Sequence, residues 1–189
     1  VLEQILVGTS AAPLRKALID SGLGEGLTGS GLAEDIRQPY FTVGLKGIDA
    51  ADADKVEALI LATLEQLSEE GIDKLTVEAA INSIEFALRE NNTGSFPRGI
   101  AVMFRAMRSW LHGGDPLEPL QFEAPMQALK DRLASGERVF EALVRNHLVD
   151  NTHRTTVLLK ADTGQGAREA AEERARLDAA TEAMSDAER

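Results

Sequence analysis

Apolar residues recur at helical spacing along most of the chain, and the breaks in that pattern carry the residues that end helices. Leu2, Ile5 and Leu6 already follow it at the start. Ser10 predicts an N-cap, Pro13 suits a first turn, and Leu14, Ala17 and Leu18 share one face before Ser21-Gly22 closes a short helix. Glycine then recurs at Gly22, Gly24, Gly26, Gly29 and Gly31, which predicts a mobile or tightly turned loop. The following run Tyr40 to Lys46 alternates, predicting a strand with Phe41, Val43 and Leu45 on its buried face. Asp52 predicts the cap of a long amphipathic helix bearing Val56, Leu59, Ile60, Thr63, Leu64 and Leu67 and ending at Gly71. Thr76 opens another, with Val77, Ala80, Ile81, Ile84 and Leu88 inward, and the short loop between the two predicts antiparallel packing. Asn91 to Ser95 predict a structural turn with Asn92 or Gly94 at φ > 0. Pro97 starts a third helix with Ile100, Met103, Phe104, Met107 and Leu111 inward, stopped by Gly113-Gly114. Further helices are expected at about Glu123 to Ala134 and Glu137 to Leu148, and a last strand at Arg154 to Lys160.

After Gly164 the sequence turns to Ala, Glu and Arg, with high helix propensity but a thin apolar stripe at Ala170, Leu177 and Met184. A helix lying outside the core is expected there. Its seven-residue spacing suits one partner helix and is too short a pattern for a coiled coil.

Composition narrows the function classes. At 189 residues the chain suits one domain, or one domain with an appendage, and 43% hydrophobic with 27% charged residues is a folded composition. The net charge of -11 argues against nucleic acid as a partner, since phosphate binding rests on clustered Lys and Arg. No cysteine is present, so disulfides, thiolate metal sites and cysteine nucleophiles are excluded. No apolar run reaches the length of a membrane span and no signal-peptide pattern opens the chain, so no membrane partner is expected and the bacterial cytoplasm is the default compartment. An opening Val1 already at helical register suggests a piece of something longer.

Hydrolytic metal sites need imidazoles or carboxylates converging at fixed spacing. His112 and His147 fall near helix ends and His153 before the last expected strand, where caps or surface positions explain them. Glu69-Glu70 and Glu172-Glu173 fall on polar helix faces. The run Gly22, Leu23, Gly24, Glu25, Gly26 follows a helix and carries an acid, the wrong context for a nucleotide loop. Met103, Phe104 and Met107 read as core rather than a ligand box. Catalytic, cofactor-binding and metal residues are therefore expected to be none.

Three stretches carry a resemblance: Gly8 through Gly24, Phe41 through Gly47, and above all Ile84-Glu85-Phe86 through Arg89-Glu90-Asn91-Asn92-Thr93-Gly94-Ser95-Phe96-Pro97-Arg98-Gly99. With Trp110, Asp115-Pro116, Leu129-Lys130 and Val157 to Asp162 in order, the chain resembles the presequence-protease and falcilysin-like subfamily of the pitrilysin and insulinase zinc metallopeptidases. The resemblance implies four α+β domains in two clamshell halves joined by a long helical hairpin. It implies that residues 1–162 form the C-terminal part of a noncatalytic α+β peptidase domain, the second of the four, and residues 163–189 the start of the linker hairpin. The fold class implied is α+β, helices packed on an antiparallel sheet in an incomplete α/β-roll half-domain, followed by a projecting C-terminal helix. The family's zinc ligands and general base lie in an inverted H-x-x-E-H motif, which this sequence lacks. A superfamily Arg and Tyr that help hold the substrate carbonyl correspond here to Ile19 and Glu25.

The resulting expectation is a noncatalytic chamber-wall domain of a zinc metalloendopeptidase that degrades unstructured peptides. Zinc is expected in the parent protein and not in this chain, which alone is expected to be inactive. Its partners would be the remaining parent domains and unstructured peptides, and an organelle matrix is the alternative compartment. A free-standing α+β protein-interaction module is the rival reading, separated from the first by whether an H-x-x-E-H segment lies upstream.

Overall fold

The computed structural model describes residues 1–185 and divides them into two units, Val1–Thr156 and Val157 onward. The first unit is α+β. Helix α1 (Leu2–Leu6) and α2 (Pro13–Asp20) precede strands β1 (Gly26–Ala33) and β2 (Tyr40–Lys46), and then come α3 (Ala53–Glu70), α4 (Lys74–Glu90), α5 (Arg98–Trp110), α6 (Glu123–Ala134) and α7 (Val139–Val144), the last continuing as a π-helical turn over residues 145–149. Among the described residues the sheet is an antiparallel pair, with Leu27 opposite Leu45, Leu32 opposite Phe41, and an irregularity between Thr28 and Gly31.

The glycine-rich segment is thus half of a hairpin and not the loop its composition predicts. Gly29 (φ +100°) and Gly31 (φ +69°) form the bulge, and a Cβ on Gly29 would lie 2.7 Å from the Thr42 carbonyl oxygen, so glycine lets the two backbones close.

Two apolar clusters hold the unit together. In the first, Leu6, Leu14, Leu18, Leu45, Val56, Leu64 and Val144 bring α1, α2, β2, α3 and α7 together. In the second, Ile5, Ile72, Ala80, Ile81, Met126 and Phe140 join α1, α4, α6 and α7. Helix α1 has only five residues, below the length at which an isolated helix holds in water, yet Ile5 and Leu6 are fully buried, one in each cluster. It is a packing wedge. Helix α3 also lies against α2 and α7, and α4 against α1, while Leu67 of α3 packs on the second cluster beside Val77 and Ala80 of α4. The cap of α4 is Asp73, whose carboxylate accepts from the Thr76 N–H at 2.8 Å and from the Thr76 hydroxyl, so Thr76 is a cap partner inside the first turn. Asp49 plays the same part ahead of α3, accepting from Ala51 N–H at the start of a 3-10 turn.

The expected strand at Arg154 to Lys160 is absent: the segment is irregular and exposed and carries no ladder pairing. The second unit, described by itself, is chiefly helix α8 (Gln165–Ala183), in which no side chain is buried. Asp162 precedes it, bonded to the Gly164 N–H at 2.8 Å and paired with Arg168 at 2.5 Å. These donors hold the Asp162 carboxyl below its usual range, Arg168 contributing most.

Candidate functional site

The positions the resemblance aligns with carbonyl-holding residues stand at the end of α2. Ile19 and Glu25 are both exposed, and the Glu25 N–H donates to the Lys46 carbonyl at 2.9 Å, which starts the β1–β2 ladder. An alkyl group and an ionised acid offer no donor to a carbonyl oxygen, so neither of these two side chains can polarise one. A shallow groove of about 400 Å³ lies nearby between the start of α2, the end of α3 and the start of α4, lined by Pro13, Ala17, Gln66, Leu67 and Thr76. The titratable side chains on its wall are Glu70 and Asp73.

The three histidines occupy three separate elements. His112 follows α5 with Nε2 3.4 Å from the Asp35 carbonyl oxygen, His147 is in the π-helical turn, and His153 lies in the irregular segment, its N–H bonded to Asn151. Among the described residues no three His, Asp or Glu side chains converge on a point that a cation could occupy. The donor set therefore does not fit zinc, whose sites need three or four such ligands together.

What the structure presents instead is an apolar face. Helix α5 has no buried residue, although the periodicity predicts Ile100, Met103, Phe104, Met107 and Leu111 inward. Phe104 is 54% and Trp110 65% exposed, with Ile100, Met103 and Leu111 exposed beside them. Phe96, just before the helix, stacks on Phe104 with ring centres 6.3 Å apart. The amphipathic pattern is read correctly as a helix and wrongly as core, because periodicity shows which face is apolar and not what covers it.

The motif ahead of α5 builds the platform for this face. Glu85 on α4 is only 17% exposed; it accepts from Arg89 on the next turn at 2.7 Å and pairs with Lys130 of α6. The hydrogen bond from Lys130, then that from Arg89, hold its carboxyl below the usual carboxylate range against the opposing effect of burial. Arg89 also lies 5.7 Å above the Phe122 ring. Asn91 ends α4 in the left-handed region at φ +44°, and Gly94 follows at φ +58° with its N–H bonded to Asn92 Oδ1 at 2.9 Å. Of the two residues expected at positive φ, Gly94 takes it and Asn92 does not; Asn91, an accepted left-handed cap, takes the other position. The resembling stretch thus serves to lock α4 to α6 and to turn the chain into α5.

Comparison with known proteins places these features. Residues 1–84 match the family described as "Peptidase M16 inactive domain". Over 187 residues, 98% of this chain, the sequence is 44% identical to "Presequence protease 1, chloroplastic/mitochondrial" of Arabidopsis thaliana, covering 17% of that protein. It is 36% identical over 178 residues to "Protein HypA" of Clostridium perfringens, 94% of this chain and 18% of that protein. With "Presequence protease, mitochondrial" of Xenopus tropicalis it shares 28% over 190 residues, again 18% of the relative. The chain spans less than a fifth of the length of each of these relatives.

Proposed function

The chain belongs to the presequence-protease-like peptidases, carrying part of their inactive domain, and we propose that it serves as a noncatalytic wall of the chamber in which a zinc metalloendopeptidase degrades unstructured peptides. The reading is supported by a donor set unfit for zinc together with an apolar face on α5 that stays largely exposed among the described residues. A domain of that kind contributes shape and packing while another part of the polypeptide holds the metal and the general base. The division of labour follows the sequence, residues 1–162 acting as the α+β wall and residues 163–189 as the start of a helical linker. The partners are the remaining domains of the longer polypeptide, which cover α5, and unstructured peptides that pass the wall. The plant and animal relatives are named for mitochondria or chloroplasts, which favours an organelle matrix; no described helix is long and apolar enough to cross a membrane.

The test uses the complete polypeptide with and without residues 1–162. Zinc content should survive the deletion, turnover of a fluorogenic unstructured peptide should fall by at least tenfold, and adding this chain in trans should restore part of it. Full turnover without the segment would leave it no wall to form, and zinc lost with the segment would assign it the metal.

A further inference from the structure

Helix α3 ends without the turn that usually closes a helix on itself. The Gly71 N–H returns to the Leu67 carbonyl at 3.2 Å, but Gly71 stands at φ +105° and ψ +165°, away from the left-handed cap that sends the next N–H back to the last turn. The later carbonyls of α3 and the Ile72 N–H therefore need partners from elsewhere, and Ile72 is buried in the second cluster. A helix end left to itself in this way would fray.

Helix α7 supplies those partners from 69 to 70 positions further along the chain. Arg138, at its N-cap, donates through Nη2 to the Ser68 carbonyl at 3.3 Å and the Glu69 carbonyl at 3.0 Å, and Glu141 accepts the Ile72 N–H on Oε1 at 3.1 Å. The two side chains meet over the joint: a Cβ on Gly71 would lie 3.5 Å from Arg138 Nη2 and 3.6 Å from Glu141 Oε1, and Arg138 Nε is 3.9 Å from that same oxygen. One turn further on, Arg145 pairs with the Glu69 carboxylate at 2.9 Å. The guanidinium thus sits at the negative end of α3 and the carboxylate on an orphan donor, so each charge faces the backbone group it suits. Glu141 is only 15% exposed, so water is a poor substitute for it at the Ile72 N–H.

We propose that Arg138 and Glu141 make α7 a strap across the joint between α3 and α4, capping α3 from outside its own stretch of sequence, so that residues 69–72 open only when α7 itself leaves the core. Phe140 and Val144 anchor α7 in both apolar clusters, which brings that opening close to global unfolding. The side that Gly71, Ile72 and Asp73 give to the adjoining groove is fixed with it.

Hydrogen exchange of the chain itself, read peptide by peptide by mass spectrometry over a denaturant series, tests the strap. In the unaltered chain, residues 69–72 should exchange with the same opening free energy and the same denaturant dependence as residues 139–144. Glu141→Leu leaves the Ile72 N–H without its acceptor and should free the joint, speeding exchange at 69–72 by about tenfold or more relative to 139–144. Arg138→Met, which keeps the stem and removes the donors, should act in the same direction. Glu141→Gln, whose amide oxygen still accepts, should keep most of the protection. Exchange at 69–72 that outpaces α7 in the unaltered chain, with little denaturant dependence, would overturn the strap, and so would 69–72 still matching α7 in a folded Glu141→Leu. Should that variant fail to fold, the comparison within the unaltered chain decides alone.

Discussion

At the scale of single residues, the segment that most identifies the chain makes two measurable demands. Gly94 sits at φ +58° with open space where a Cβ would go, so a substitution there tests backbone strain free of any clash. Gly94→Val should cost about 1–3 kcal/mol, and Gly94→Asn, which tolerates the left-handed region, distinctly less; equal stability of the two in urea unfolding would show that the φ of this position is not fixed. Glu85 makes the second demand. Because its carboxyl is held below the ordinary value of 4.5 by Lys130 and Arg89, its stabilising effect is complete above that value and disappears as the pH falls through the lowered folded one. Urea midpoints measured from neutral pH downward should therefore fall less steeply below pH 4.5 for Glu85→Gln than for the unaltered chain, from a lower starting stability. Identical slopes would mean the α4–α6 bridge carries no linkage.

At the scale of elements, what the sequence makes legible depends on whether the determining contact is local. Helix α6 emerges at the limits its periodicity predicts, Glu123–Ala134, and α3, α4, α5 and β2 lie where their apolar spacing and stop residues put them. Some failures are local, Asp73 capping α4 in place of Thr76 and Ala12 standing at the N-cap of α2 in place of Ser10, but the larger ones are matters of partners. Strand β1 is hidden in sequence because Gly29 and Gly31 depress strand propensity, and the close approach that requires them shows only once β2 lies beside it. The run Arg154 to Lys160 alternates like a strand yet forms no ladder, since alternation marks a pattern and not a pairing. The candidate site divides the same way: the lack of a histidine motif is plain from spacing, whereas the exposure of the α5 row and the Arg108–Glu34 pair, 74 positions apart, show only in the fold. In α8 the stripe of Ala170, Leu177 and Met184 reads as too thin to bury, and none of the helix's side chains is buried. Removing Gly164 to Arg189 should accordingly change the unfolding free energy of the rest by about 1 kcal/mol or less, with the transition still cooperative in circular dichroism. A broad, noncooperative melt after truncation would show that the helix is needed for the fold.

At the scale of the molecule, composition and geometry bear on one chemical question, whether this chain can hydrolyse a peptide by itself. Zinc hydrolysis needs about three protein ligands, an open position for water and a base beside it. The chain has no cysteine to serve as ligand, and its three histidines stand on a helix end, a π-helical turn and an irregular segment. His147 and His153 are six residues apart, the nearest approach in sequence to a ligand pair. His153, however, lies beyond the turn closed by Asn151 Oδ1 on its own N–H, and no carboxylate joins the two imidazoles in a metal-sized group among the described residues. A net charge of -11 will attract divalent cations to the surface, but diffuse attraction gives neither stoichiometry nor a polarised water. The purified chain, dialysed after loading with zinc and measured by atomic absorption, should retain well under one equivalent, and a fluorogenic unstructured peptide should be cut no faster with zinc than with a chelator. His147→Ala should leave both readings where they are. One equivalent of zinc retained together with chelator-sensitive cleavage would transfer the chemistry to this domain and leave the wall reading without its ground.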